Sequence, residues 1–168
     1  EMIQLWVNLP AADKMTPPSY QAITAEQIPV VSLDDANGEI RVIAGEYQGQ
    51  KGPARTFSPM LVWDVTVQAH ANMILEVPDG WNTAVIARSG CCLINEHARA
   101  AAGQMVVLSA QGDQVQIQAE AESQLLLIAG EPLNEPVEGY GPFVMNTKEE
   151  IRQAIRDFQQ GDFGKMSS

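Results

Sequence analysis

Two histidines, two cysteines and ten basic residues are few for 168 positions, and each scarcity removes a class of function. A non-haem iron centre needs several imidazole and carboxylate ligands converging on one point with open positions for substrate. Only His70 and His97 are present, and no HxH pair occurs. Both read as surface residues rather than ligands. Cys91 and Cys92 are neighbours, a spacing that makes an ordinary disulfide between them difficult and offers no framework of the secreted kind. A cytoplasmic location is the simpler expectation. No apolar run approaches the roughly 18 residues of a membrane-spanning helix, and the start lacks the basic and apolar regions of a signal peptide. The chain opens EMIQLWVNL, without an initiating methionine, and is not expected to be a natural beginning.

Against those ten basic residues stand 21 acidic ones, for a net charge of -11. Such a surface repels phosphate backbones, so direct nucleic-acid binding is not expected. Lys51 and Arg55, the one candidate cation cluster, sit in the glycine-rich GEYQGQKGPART and read as loop solvation. The apolar fraction of 45% suits one soluble domain, which at this length buries roughly 70% of the surface of its unfolded chain.

What is abundant is short strand pattern. Ile3, Leu5, Val7 and Leu9 alternate with polar or amphipathic neighbours, the period of a half-buried strand in need of a partner. The proline-rich PAADKMTPPSYQA reads as a surface loop. IPVVSL and EIRVIAG flank DDANG, where Asn37 and Gly38 can supply the positive φ angles of a tight turn and Asp34 and Asp35 serve it. MLVWDVTV, ANMILEV, TAVIARSG, CCLIN, QMVVLS, DQVQIQA and SQLLLIAG follow, separated by turn residues. Strands at this spacing favour a closed barrel or sandwich. Near the end, Thr147 and Glu150 form a capping box that starts a helix over about 148–160. Ile151, Ile155 and Phe158 fall at i, i+4 and i+7 as its apolar stripe, and Gly161 ends it.

The tail GEPLNEPVEGYGPFVMNTKEEIRQAIRDFQQGDFG, from Gly130 to Gly164, resembles the C-terminal signature of the pirin family, and QLWVNLP at Gln4 to Pro10 resembles the strand and turn joining a pirin's two halves. LVWDVTV, VPDGWNTAVIARSG and the stretch from Ala101 to Leu133 read in the order of the family's second cupin barrel. The resemblance implies an all-β fold, a cupin-type β-barrel or jelly roll with a C-terminal α-helix. It divides the chain into an inter-domain strand at 1–10, a barrel at 11–138 and a docking tail at 139–168. Pirins are bicupins of roughly 280 residues, with iron held in the first barrel. The resemblance therefore implies that iron ligands lie in an absent N-terminal half, and that this chain holds no cofactor. In a metal-binding cupin the paired histidines would enter on the strand after Gly80, where Asn82 and Ala84 stand instead.

Other candidates are weighed against plainer roles. Asp64 shares a strand face with Val62 and Thr66, where an acidic group needs a partner or solvent, so it is a candidate ligand contact at the barrel mouth. Trp63 and Trp81 line that mouth or fill the core. Cys91 and Cys92 form a redox pair if a cation lowers a thiolate, or simply fill core and surface. Ser89 and Ser109 lack a GxSxG turn, and Glu120 and Glu122 read as solvated.

Two functional readings result. In the first, the chain is the metal-free scaffold and interaction half of an iron-dependent bicupin, a quercetinase-like dioxygenase or redox-responsive regulator, and alone neither binds iron nor oxidises a flavonol. In the second it is a self-standing cupin module binding a small molecule or protein. The expected partners are the missing N-terminal cupin, a second copy of the chain in a homodimer, or another protein.

Overall fold

The structure, a computed structural model, describes residues 2–33 and 37–164. It divides into two compact units, Ile23–Pro132 and a second made of the opening up to Ala22 with the chain from Leu133 onward.

Apart from one 3-10 turn at Ala25–Gln27, the regular structure of the first unit is strand. In chain order it contains β1 (Val30–Ser32), β2 (Gly38–Ala44), β3 (Glu46–Tyr47), β4 (Gln50–Lys51), β5 (Met60–Val67), β6 (Asn72–Glu76), β7 (Asn82–Ser89), β8 (Cys91–Ile94), β9 (Ala98–Ala101), β10 (Met105–Val107), β11 (Gln114–Ala119) and β12 (Ser123–Gly130). A six-stranded sheet runs β1-β2-β5-β12-β7-β10 and a four-stranded sheet β6-β11-β8-β9. Every pairing in them is antiparallel. The two sheets remain separate rather than closing into one ring, which is the jelly-roll form of the expected fold.

Strand period explains the core. In β5, Leu61, Trp63, Val65 and Val67 are buried while their alternate neighbours are half-exposed, because successive side chains point to opposite faces. Register aligns Val42, Trp63, Leu127 and Val85 across the large sheet. Met73, Leu75, Ile94, Val115 and Ile117 of the small sheet complete the same core.

The chain passes from one sheet to the other at Gly90, between β7 and β8. Gly90 has φ 75°, and a Cβ there would stand 2.2 Å from Ser123 Oγ and 2.3 Å from Glu122 O. Only glycine relieves both constraints. Ser123, fully buried, accepts from Cys91 N at 3.0 Å and donates to Ala121 O at 2.8 Å.

In the β1–β2 hairpin, Leu33 N donates to Gly38 O at 2.9 Å. Gly38 has φ 149° and a Cβ on it would strike Thr66 O. Asp34 and Asp35 lie outside the described residues.

The second unit contains the hairpin of β13 (Glu138–Tyr140) and β14 (Phe143–Met145), and helix α1 (Lys148–Gln160). The strand expected at Ile3 to Leu9 is absent: residues 2–10 carry no strand, and Ile3, Leu5, Trp6 and Val7 are exposed. Alternating side chains make a strand only when its backbone groups find a ladder partner.

Candidate functional site

The interior of the jelly roll is the natural place for a ligand in this fold. Here side chains fill it. Trp63, 1% exposed, lies at its centre with Tyr47 edge-on, ring centroids 5.1 Å apart. The indole Nε1 has no hydrogen-bond partner. Trp81 is half-buried and packs at the margin of the core. The inward positions of β7 are Thr83, Val85 and Ala87, rather than Asn82 and Ala84 as the sequence suggested. A β-bulge opposite Gln124 and Leu125 changes the strand's parity near Arg88.

This donor set does not suit iron. Thr83 and Ser123 are the only buried polar residues among the described ones, and no group of three or more His, Cys, Asp or Glu side chains comes together there. His70, at φ 64°, and His97, beside a turn formed by Asn95 and Glu96, are both exposed. Hydroxyls among aliphatic side chains cannot replace the imidazoles and carboxylates a non-haem iron requires.

Asp64 does not face the mouth of the barrel. Alternation puts it on the outer face of the six-stranded sheet, opposite to Trp63. There Arg88 Nη1 donates to Asp64 Oδ1 at 2.7 Å, and Arg41 Nη1 lies 3.5 Å from Oδ2. Arg41 is its cross-strand neighbour in β2. Arg88 is on β7, two strands away, and its side chain must cross β12 at the level of Leu126, which is only 7% exposed. The partner that a half-buried carboxylate needs is thus a pair of guanidiniums.

Cys92 points into the core and Cys91 outward, and both are free thiols. Burial pushes both thiols up from the ordinary cysteine range. At Cys91 the hydrogen-bonded Glu120 pushes further, against the opposing pull of Arg99. Arg99 is instead held by Glu120, with Nε–Oε1 at 3.0 Å and Nη2–Oε2 at 2.7 Å. A thiol raised in this way is a weaker nucleophile at neutral pH.

The second unit has its own concavity, about 830 Å³, lined among others by Val7, Met15, Phe143, Ala154 and Phe163. Lys14 Nζ donates to Asn8 Oδ1 at 2.6 Å and Val144 O at 3.2 Å. Thr147 caps α1, its Oγ1 accepting from Glu150 N at 3.2 Å, while the Glu150 carboxylate accepts from Asn146 N at 3.1 Å. The helix docks on the β13–β14 hairpin of its own unit. Ile151 is buried there and Ile155 half-buried, but Phe158 is 63% exposed and touches Phe143 and Phe163 by its edges. The second buried position is Ala154, a small residue that the stripe of larger ones concealed.

Similarity to known proteins follows the same outline. The family profile described as the pirin C-terminal cupin domain matches residues 62–164. The chain belongs to the pirin family. It is 39% identical to human pirin over 96% of this chain and 57% of that one. A Pseudomonas aeruginosa protein provisionally named as a quercetin 2,3-dioxygenase is 47% identical over 97% of this chain and 57% of its own length. The crystal structure of a quercetin 2,3-dioxygenase from Acinetobacter baumannii superposes with a TM-score of 0.90 and 48% identity, covering 95% of this chain and 56% of that one. The pirin chain described here thus spans a little over half the length of these relatives. No helix among its described residues is long and apolar enough to cross a membrane.

Proposed function

We propose that this chain is the metal-free scaffold and interaction half of a pirin-type bicupin, and that any iron-dependent, quercetinase-like or redox-responsive chemistry belongs to the further length its relatives carry. The observation that carries this reading is the interior of the jelly roll, where Trp63, Val85, Ala87, Ile117 and Leu127 occupy the space a cupin would give to ligands and metal. Nothing in that set can bind a divalent cation or move a proton. What the chain does offer is surface: an exposed apolar opening at Met2, Ile3, Leu5, Trp6 and Val7, and a helix-capped tail. A cytoplasmic location is part of the reading, since free thiols persist in a reducing compartment.

The test is metal analysis of the purified chain after incubation with ferrous iron, together with an assay of flavonol oxidation. The expected outcome is substoichiometric iron and no turnover. Stoichiometric iron with turnover would overturn the reading.

A further inference from the structure

Of the chain's seven asparagines, Asn37 alone precedes glycine; Leu9, Met73, Thr83, Glu96, Glu135 and Thr147 follow the others. An asparagine side chain is a latent electrophile, because the backbone nitrogen of the next residue can close on its Cγ to form a small ring. A side chain on that next residue obstructs the approach, and glycine has none. Asn72 and Asn82 are more exposed than Asn37, yet Met73 and Thr83 shield them.

At Asn37 the fold forbids a shielding neighbour. Gly38 has φ 149°, the positive φ of the pair, and a Cβ there would strike Thr66 O and stand 3.2 Å from Val67 Cα. Both constraints come from β5, which lies against the start of β2 with Val67 opposite Gly38. The pairing of β2 with β5 therefore keeps the labile dipeptide in the sequence. The hydrogen bonds of the turn run through its carbonyls: Gln68 N donates to Asn37 O at 2.8 Å, and Leu33 N to Gly38 O at 2.9 Å. Neither bond holds the two atoms that must meet, Asn37 Cγ and Gly38 N.

We propose that Asn37 is a self-modifying site, which loses ammonia and becomes isoaspartate without an enzyme. Gly38 N gives its proton to solvent and attacks Asn37 Cγ; the Cγ–Nδ2 bond breaks, ammonia leaves with a proton from water, and a succinimide remains. Water then opens the ring at one of its two carbonyls. Opening at the main-chain carbonyl of Asn37 gives isoaspartate, and opening at Cγ gives aspartate; the net change is one water taken up and one ammonia released. Gln68 N already donates to Asn37 O, so it is placed to stabilise the oxyanion of the first route. Isoaspartate is the favoured product.

Isoaspartate carries the main chain through Cβ, which adds a methylene where β2 enters the sheet and one negative charge to the existing -11. β1 stands at the edge of the six-stranded sheet with β2 as its neighbour, paired Val30–Arg41, Val31–Ile40 and Ser32–Glu39. On its other side β2 is held by β5. The added length therefore falls on the hairpin, and β1 loosens first.

Peptide mass mapping tests this on the whole chain, kept for weeks in warm, mildly alkaline buffer beside a sample unfolded in urea. Trypsin cuts after Lys14 and Arg41, so Asn37 lies in Met15–Arg41 with no other asparagine, while Asn72 and Asn82 share Thr56–Arg88. The first peptide should gain the mass that separates an acid from its amide, and the second should stay intact. Electron-transfer fragmentation should show a larger share of isoaspartate in the folded sample than in the unfolded one. Asn37→Gln, which needs a larger ring, should remain unmodified. Hydrogen exchange separates length from charge: the aged chain should exchange faster over β1, whereas Asn37→Asp, with the charge but the native backbone length, should not. A Met15–Arg41 peptide that converts in urea but stays intact in the folded chain would overturn the inference, since the hairpin would then protect Asn37. Conversion of Asn72 or Asn82 at the same rate would overturn it by removing the role of Gly38. Both readouts are independent of the iron assay.

Discussion

The jelly roll and the tail unit are built from the same chain but held together differently. In the jelly roll, twelve large side chains from both sheets lie below 2% exposure. In the tail unit, Ile151 and Ala154 are the buried residues among those described, and the rest of its order comes from the cluster of Phe143, Phe158 and Phe163 and from polar contacts. Glu135 Oε2 accepts from Ala11 N at 2.8 Å and from Asn146 Nδ2 at 3.0 Å, and Thr147 and Glu150 cap the helix. A 13-residue helix is marginal alone in water. The contrast separates a cooperative core from a unit whose order depends on a few local contacts, which opens more readily.

Four measurements press on that contrast. The largest effect belongs to Leu127→Ala, a cavity at the centre of the large sheet. It should cost about 2–5 kcal/mol in chemical denaturation, and a loss below that would mean the core is not close-packed. Next comes Asp64→Asn, which removes the charge that Arg41 and Arg88 share. About 1–3 kcal/mol is expected, and an unchanged midpoint would show that the triad is dispensable. Thr147→Ala should cost about 1 kcal/mol, felt locally. Hydrogen exchange should quicken over 148–160 while β5 and β12 amides hold, and equal quickening in both would erase the distinction between the units.

The smallest effect concerns pH. Glu120 is held below the usual carboxylate range, chiefly by its hydrogen bond from Arg99. Its contribution is therefore present above the carboxyl's unfolded range and lost as pH falls through the lowered folded value. Being solvent-exposed it is weak. Glu120→Gln should flatten the acid side of the stability profile slightly, and a flattening on the alkaline side would contradict the assignment.

How much of this could be read from the chain varies with the range of the signal. Short-range signals were readable: the cap at Thr147, the stop at Gly161 and the alternation in MLVWDVTV each depend on residues within one turn or one strand. Cross-strand facts were not. Asp64 was visibly in need of a partner, but Arg41 and Arg88 become its neighbours only through register, and Arg88 only by spanning β12. The inward set on β7 was misassigned by one residue, because which parity faces the core is set by the register with β12, a distant segment that local composition does not mark. At Ile3 to Leu9 the side-chain pattern is that of a strand, yet pairing is decided by other segments. Trp63 and Asp64, grouped as neighbours in one site, prove to be on opposite faces.

The turn at Gly90 carries an evolutionary consequence. β7 and β8 belong to different sheets but are joined by one residue, so the phase of the large sheet is handed directly to the small one. Loops elsewhere can absorb an insertion or deletion. A single codon gained or lost here would turn β8 over, sending Cys91 and Leu93 inward and Cys92 and Ile94 to solvent, and with them the pairing to β11. Length changes among descendants of this chain should therefore accumulate at turns such as Asp79–Gly80 and Gln111–Gly112, and be purged between Ser89 and Cys91.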